Sequence, residues 1–165
     1  SHCHKEQPDE QSMIKLLIIL TSLCLVSFVV AESYDRKGFN YRSYKPNTSI
    51  GFYTNKTCDF INIDHVVSLK DAYESGASSW GASKKKAFGN DRSNHVPSCG
   101  PVNSSKGSAA PKDFLRRSSD GKGLDYKIVR WCGYVTKYHA IKTKYTLSFA
   151  DNDKRIFSMC ELRVE

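Results

Sequence analysis

The sequence predicts an α+β fold in which two short strands, separated by a helical insertion, are followed by further helices. β-branched residues nearly alternate with polar ones in CDFINIDHVV, as expected of a strand, and NHVPSC is predicted to be a second, shorter strand. Apolar residues recur at helical spacing between and after these segments, and no internal repeat is present. The roughly 130 residues that follow an N-terminal apolar run suit one domain with a modest core.

The N-terminal 31 residues are interpreted as upstream residues plus an export signal. Met13 is the expected start, Lys15 supplies a basic flank, residues 16–30 are apolar, and Val29-Val30-Ala31 is a small-residue cleavage site. A membrane anchor is the alternative, but the apolar run of about 15 residues is shorter than the roughly 20 that a spanning helix needs. We therefore expect a secreted or periplasmic protein without stable membrane association after signal cleavage.

The chain is basic, with 25 Lys and Arg against 17 Asp and Glu and a net charge of +8. Removing residues 1–31 takes away two lysines and three acidic residues, so the net charge rises to +9. Such an excess attracts nucleic acid, anionic lipid or acidic polysaccharide. Charge that serves only solubility is an equal alternative on composition alone.

Four cysteines follow the predicted signal. An even number in an exported domain predicts two disulfides, for which three pairings are possible. Structural zinc is less favoured because no two of these cysteines have C-x-x-C spacing. The four residues are Cys58, Cys99, Cys132 and Cys160.

The remaining elements are predicted from local patterns. Residues 32–57, rich in Tyr, Gly, Asn and Lys, are expected to wrap the core as loops and short strands. Pro97 favours an edge position for the second strand. The predicted elements are a strand at 60–67, a helix at 69–88 broken near Gly76 and Gly81, a strand at 94–99, a helix from about Asn103, an amphipathic helix within 124–145, and a final helix that carries Cys160.

Polar residues recur at defined points of these elements. Asp64 and His65 stand side by side near the end of the first strand, Asn94 opens the second, and Asn103 begins the next helix with Lys106 one turn later. This order resembles the HNH nucleases, whose pattern is D-H, then Asn, then His or Asn followed by x-x-K. The resemblance implies a ββα-metal finger, here with an inserted helix between the strands and C-terminal helices packed on it. The nuclease domain would span 58–165, after the wrapping segment 32–57.

Longer motifs narrow the resemblance to one branch. IDHVVSLKDAYESGASSW, FGNDRSN and NSSKGSAAPKDF are similar to the nuclease domain of GmrSD restriction systems and of many secreted bacterial HNH proteins. The similarity covers residues 52–145. Two positions depart from the branch, because Ser108 and Phe114 replace an acid and a Trp that many relatives carry.

The resemblance implies a metal site and a general base. Mg²⁺, or Mn²⁺ in its place, would be held by Asp64 and the side-chain oxygen of Asn103, because magnesium prefers oxygen ligands and retains several waters. His65 would take a proton from water, since a neutral imidazole titrates near working pH. Perfect strand alternation would place Asp64 and His65 on opposite faces, so the strand must end or twist there.

Further residues are assigned supporting roles. Asn94 is expected to complete the catalytic unit by tying the loop between the strands. Lys106 is counted as both catalytic and nucleic-acid-binding, with Arg92 and His95 as further nucleic-acid-binding candidates. Each residue also has an ordinary reading: Asp64 as a turn acid, His65 as a strand-edge histidine, Asn94 as a turn residue, Asn103 as a helix cap and Lys106 as a solvated charge. Only their joint order supports a nuclease.

The predicted protein is a monomeric endonuclease that hydrolyses DNA, and RNA as an open alternative, with low sequence specificity. A non-catalytic, disulfide-stapled cationic module that binds nucleic acid or other polyanions is the rival interpretation. Among the pairings, we favour Cys58–Cys99 across the two strands of the finger. Cys132–Cys160 would then join the long helix to the C-terminal segment.

Overall fold

The computed structural model describes residues 32–118, 126–149 and 152–164. The predicted export signal lies outside these residues. The predicted α+β class is confirmed, because the described residues contain a small antiparallel sheet and several helices. None of the described helices is long and apolar enough to cross a bilayer.

The sheet consists of two antiparallel strands, β1 at Ile61–His65 and β2 at His95–Cys99. In its register Ile61 lies opposite Cys99 and His65 lies opposite His95. Both strands match their predicted positions to within about two residues. The first strand ends at His65, where the sequence required a break in the alternation.

The other regular elements are helices. Ser68 caps helix α1 (Leu69–Glu74), because its hydroxyl accepts a hydrogen bond from the backbone N–H of Asp71. The helical insertion between the strands is broken, as predicted, into α1, a 3₁₀ turn at Ala77–Ser79 and helix α2 (Ala82–Gly89). The α-helices of the described residues are α1 at Leu69–Glu74, α2 at Ala82–Gly89, α3 at Gly100–Lys106, α4 at Pro111–Arg117, α5 at Trp131–Tyr145 and α6 at Lys154–Ser158.

The helix after β2 begins earlier than predicted. It starts at Gly100, and Pro101 occupies its first turn, where proline's fixed φ suits helical backbone. The prediction that it begins near Asn103 is therefore wrong by about one turn. Asn103 lies inside α3 and does not cap it.

The C-terminal elements agree with the sequence in part. The long helix α5 begins at Trp131, and residues 119–125 ahead of it are outside the described part. The final helix α6 ends at Ser158, so Cys160 follows that helix and is not part of it. The sequence Asp-Asn-Asp at 151–153 also predicts a turn, which falls partly on residues that are not described.

The wrapping segment contributes directly to the core. It carries 3₁₀ helix Arg36–Phe39, and the Phe39 side chain is fully buried. A β-carbon on Gly89 would lie 2.8 Å from the backbone oxygen of Phe39, so the end of α2 can approach this segment only with glycine at that position. The other fully buried aromatic residues of the described part are Tyr53, Phe88, Phe114, Tyr134, Tyr138 and Phe157.

Both favoured disulfides are present. Cys58–Cys99 joins the residues just before β1 to the end of β2, and Cys132–Cys160 joins α5 to the segment after α6. The first bridge closes a separation of 41 residues and the second one of 28. Each therefore restricts the unfolded chain and fixes one side of the domain.

Candidate active site

Asp64, His65 and Asn103 line one cavity of about 330 Å³. Asp64 and His65 come from the end of β1 and are each only 5% exposed, whereas Asn103 reaches the cavity from α3. The sheet and α3 therefore bring together three side chains that lie up to 39 positions apart in the sequence. The small exposed fraction of the first two places their polar atoms in a partly desolvated site.

One oxygen of Asp64 is fixed from the protein interior. The Tyr53 hydroxyl donates to Oδ2 at 2.6 Å, and the Lys106 ammonium lies 3.0 Å from the same oxygen. Lys106 Nζ also donates to the backbone carbonyl of His65 at 2.9 Å. Within the described ranges, Oδ1 of Asp64 has no hydrogen-bond or ion-pair partner, so it is the oxygen left for a ligand in the cavity.

The position of Lys106 corrects one expectation. Its side chain is fully buried, and its ammonium is already bonded to Asp64 and to the His65 carbonyl. It does not line the cavity, so it is not placed to contact a substrate phosphate. Its role is internal, since it balances the charge of a buried carboxylate and connects α3 to the end of β1.

The hydrogen bonding of His65 determines which ring nitrogen carries the hydrogen. His65 Nε2 lies 2.8 Å from the Gly89 carbonyl oxygen. A carbonyl can only accept, so Nε2 carries the hydrogen and Nδ1 keeps its lone pair. Burial lowers the pKa of His65 to about 3, although the Gly89 hydrogen bond opposes this shift. The ring is therefore neutral at physiological pH and can accept a proton, but its pKa lies far below the near-neutral value expected of a general base, so it is a weaker base than the sequence predicted.

His95 lies behind His65 on the neighbouring strand. Its Nε2 is 3.1 Å from His65 Nε2 and 3.2 Å from the Gly89 oxygen, while its Nδ1 is 3.2 Å from the Tyr44 hydroxyl. The His95 side chain is 8% exposed and does not line the cavity. This placement corrects the expectation that His95 contacts nucleic acid; instead, it packs against the ring of the candidate base.

Asn94 is fully buried and bonds to the backbone just after β1. Its Oδ1 accepts from the Val67 N–H at 2.9 Å and its Nδ2 donates to the Val67 carbonyl at 3.0 Å. The Asn94 carbonyl accepts from the Val66 N–H at 2.8 Å. These bonds tie the end of β1 to the start of β2, so Asn94 holds the site in shape without facing a substrate.

The oxygen donors in the cavity fit a magnesium-type ion. The side chain of Asn103 has no hydrogen-bond partner within the described ranges, which leaves its carbonyl oxygen available in the cavity that Asp64 also lines. Across the same ranges, no cluster of three or more His, Cys, Asp or Glu residues could hold a metal. Zinc-type centres need such clusters, whereas Mg²⁺ retains waters and needs only one or two protein oxygens.

Two arginines lie near the site in different positions. Arg92 is exposed in 3₁₀ helix Arg92–Asn94, and its guanidinium carbon lies 3.4 Å from the centroid of the Tyr44 ring. Arg36 lines the cavity itself. Sequence reasoning missed Arg36 because it belongs to the wrapping segment, where no periodic pattern or motif singles out one basic residue.

We expect acid to destabilise the metal-free protein partly through His65. An unfolded imidazole titrates near 6.5, whereas the folded pKa is about 3, so this stabilisation is complete above about pH 6.5 and is lost as pH falls. The loss should reach about 2 kcal/mol by pH 5. Urea unfolding of the wild type and of His65→Gln at pH 7 and pH 5 measures it. Equal pH dependence in both proteins would contradict this assignment.

Comparisons with known proteins support a relationship over most of the chain. The family model described as GmrSD restriction endonucleases, C-terminal domain, matches residues 20–158. An uncharacterized secreted protein of Arthroderma benhamiae is 32% identical over 96 residues, which is 57% of this chain. The aligned part covers 43% of that relative, so the chain spans less than half of its length. No solved structure matches.

Proposed function

The chain belongs to the family of GmrSD restriction endonuclease C-terminal domains, and from this premise we propose that it is a metal-dependent nuclease that hydrolyses phosphodiester bonds. DNA is the proposed substrate, RNA is a possible second one, and sequence specificity is low. One observation carries the proposal: a carboxylate, an amide oxygen and a neutral imidazole line the same cavity.

In this proposal, Asp64 Oδ1 and the side-chain oxygen of Asn103 hold one Mg²⁺ or Mn²⁺. The bound ion would neutralise charge on the reacting phosphate and the leaving oxygen. Tyr53 and Lys106 bind Oδ2 of Asp64, so Oδ1 is the carboxylate oxygen that remains available to the metal. The supporting residues thus orient the ligand without competing for the cavity.

His65 is the proposed general base. Its Nδ1 can accept a proton from an attacking water because Nε2 is committed to the Gly89 carbonyl. The same bond fixes the ring's orientation, and the Tyr41 ring packs edge-on against it with centroids 4.6 Å apart. Arg36 lines the cavity from the wrapping segment and is the proposed contact for a phosphate oxygen.

The rival function is a cationic module that binds nucleic acid or other polyanions without cleaving them. Its positive charge alone would suit that role. It does not require a buried carboxylate that lines a cavity, which costs desolvation energy. The Asp64 environment therefore favours the nuclease.

The proposed site of action is outside the cell or in the periplasm. Two disulfides suit an oxidising compartment, and the fungal relative is a secreted protein. Both bridges should be formed before any assay, because the Cys58–Cys99 bridge holds β1 beside β2.

We expect the oxidised protein to nick supercoiled plasmid in Mg²⁺ or Mn²⁺ and to stop when EDTA is added. Asn103→Ala should raise the Mg²⁺ concentration needed for half-maximal cleavage by about 10-fold or more, because one of two protein ligands is lost. Agarose gels of plasmid and of structured RNA, incubated side by side, measure cleavage and substrate preference.

Ser104→Ala is the matched control, since Ser104 is an exposed neighbour on α3 that does not line the cavity. Its metal requirement should equal that of the wild type. Cleavage that continues in EDTA would exclude the metal mechanism. Tight plasmid binding without any cleavage at saturating metal would instead favour the rival module.

A further inference from the structure

A second cavity, of about 620 Å³, adjoins the candidate active site. It shares Arg36, Ile63 and Asn103 with the first cavity, so the two form one continuous depression. We call this second cavity the aromatic groove, because it is lined by Tyr41, Tyr44 and Phe60, with Arg36 and Lys45 as its cations. Its volume falls within the range of small-ligand sites, about 300–1,000 Å³.

Phe60 is the unusual member of the groove. Its side chain is 65% exposed, although it stands directly before a strand whose neighbouring residues are half-buried. A β-carbon on Gly100 would lie only 2.7 Å from Phe60 Cδ1, so the ring rests where glycine leaves room. The Gly100 N–H also donates to the Phe60 carbonyl at 2.8 Å. The ring is thus held in place by one neighbour and leaves most of its surface open.

The groove is also held on a rigid frame. The Cys58–Cys99 disulfide lies next to both Asp59 and Gly100, so it fixes the two segments that position Phe60. At the other end, Tyr41 packs edge-on against the His65 ring. The aromatic rings of the groove are therefore held at a fixed distance from the candidate base. Such an arrangement suits a subsite that binds the part of a substrate next to the scissile bond.

The charges along the groove suit a phosphate backbone. Arg36 and Lys45 line it against a single acid, Asp59, and Arg92 stacks on the outer wall at Tyr44. Alternation of cations with exposed aromatic rings is the pattern by which proteins bind single strands, since the cations hold phosphates and the rings stack on bases. In a duplex the base faces are covered by their neighbours and cannot reach such a ring.

We propose that the aromatic groove binds single-stranded nucleic acid beside the scissile phosphate, with one unpaired base stacked on Phe60. The position relative to the scissile phosphate rests on the proposed nuclease function. The stacking on Phe60 does not, because Phe60 has no assigned part in holding the metal or in proton transfer. DNA and RNA strands share the required chemistry, a stacking base between phosphates.

The test is binding without catalysis. Fluorescence anisotropy in EDTA compares the oxidised wild type with Phe60→Ala, using a labelled dT12 strand, a U12 strand and a 12-base-pair DNA duplex. Phe60→Ala should weaken binding of at least one single strand by about 5- to 100-fold, the loss expected for one stacked base. Duplex binding should change by less than about twofold, because cations dominate it. Whether dT12 or U12 shows the larger loss identifies the preferred strand.

Two further variants keep the result interpretable. Phe60→Trp should restore single-strand binding, because it returns a stacking face. Met159→Ala removes another exposed apolar side chain, 69% exposed and outside the groove, and should bind like the wild type. Unchanged single-strand binding by Phe60→Ala overturns the proposal, as does an equal loss of binding for the single strands and the duplex.

The outcome is separable from that of the nuclease proposal. Selective loss of single-strand binding by Phe60→Ala supports the groove even if the wild type cuts no plasmid. Metal-dependent plasmid cleavage with unchanged strand binding by Phe60→Ala supports the nuclease and removes the groove.

Discussion

His65→Ala should reduce plasmid cleavage by about 100-fold or more, since a positioned general base contributes about 10²- to 10⁴-fold to such reactions. The physical reason is the fixed tautomer: Nε2 bonds to the Gly89 carbonyl, so the variant loses Nδ1, the imidazole nitrogen that keeps a lone pair. Binding of intact plasmid should change little, because His65 is only 5% exposed and offers little surface to a substrate. Initial nicking rates and anisotropy in EDTA measure the two effects.

His139→Ala is the matched control for that substitution. His139 lies on α5, where its Nε2 bonds to the Arg163 carbonyl, and it lines neither the active-site cavity nor the aromatic groove. It should cleave at the wild-type rate. Because His65 also packs against Tyr41, thermal unfolding of each variant must show that it is folded at the assay temperature. A folded His65→Ala protein that nicks plasmid at the wild-type rate would remove the proposed mechanism.

The sequence predicted the parts of the fold that depend on local patterns. Both strands, the broken insertion helix and the long C-terminal helix follow from periodicity and from Gly and Pro positions. The start of α3 was missed because Gly100 is a poor helix former, although Pro101 at the first turn was an available signal. The disulfide pairing followed only once the strands were taken as adjacent.

The sequence predicted which residues form the candidate site better than it predicted their positions and burial. The family resemblance singled out Asp64, His65 and Asn103, which line one cavity. The burial of Lys106 was not predictable, because a lysine is usually solvated and its burial depends on two acceptors at the end of another element. Likewise, the placement of Arg36 depends on how 3₁₀ helix Arg36–Phe39 packs against α1 and α2, which short-range patterns do not encode.

Lys106→Met should destabilise the protein by about 3–5 kcal/mol, because it leaves the Asp64 carboxylate buried without its cation. Methionine matches the length of the lysine stem, so the loss of charge, and not a cavity, is the main change. The free energy of unfolding in urea at pH 7, followed by circular dichroism, measures the effect. Asp64→Asn combined with Lys106→Met should recover much of the lost stability, since the uncompensated charge is then absent.

Lys144→Met provides the comparison that isolates burial. Lys144 pairs with Asp91 at 2.7 Å, but its side chain is 51% exposed, so its removal should cost no more than about 1 kcal/mol. Equal losses for Lys106→Met and Lys144→Met would show that Asp64 does not depend on an internal cation.

If Asp64 does depend on the Lys106 ammonium, Mg²⁺ should stabilise Lys106→Met at least as much as it stabilises the wild type. The reason is that a metal on Asp64 Oδ1 would supply the missing positive charge. That response would connect the buried ion pair to the metal site through a single carboxylate.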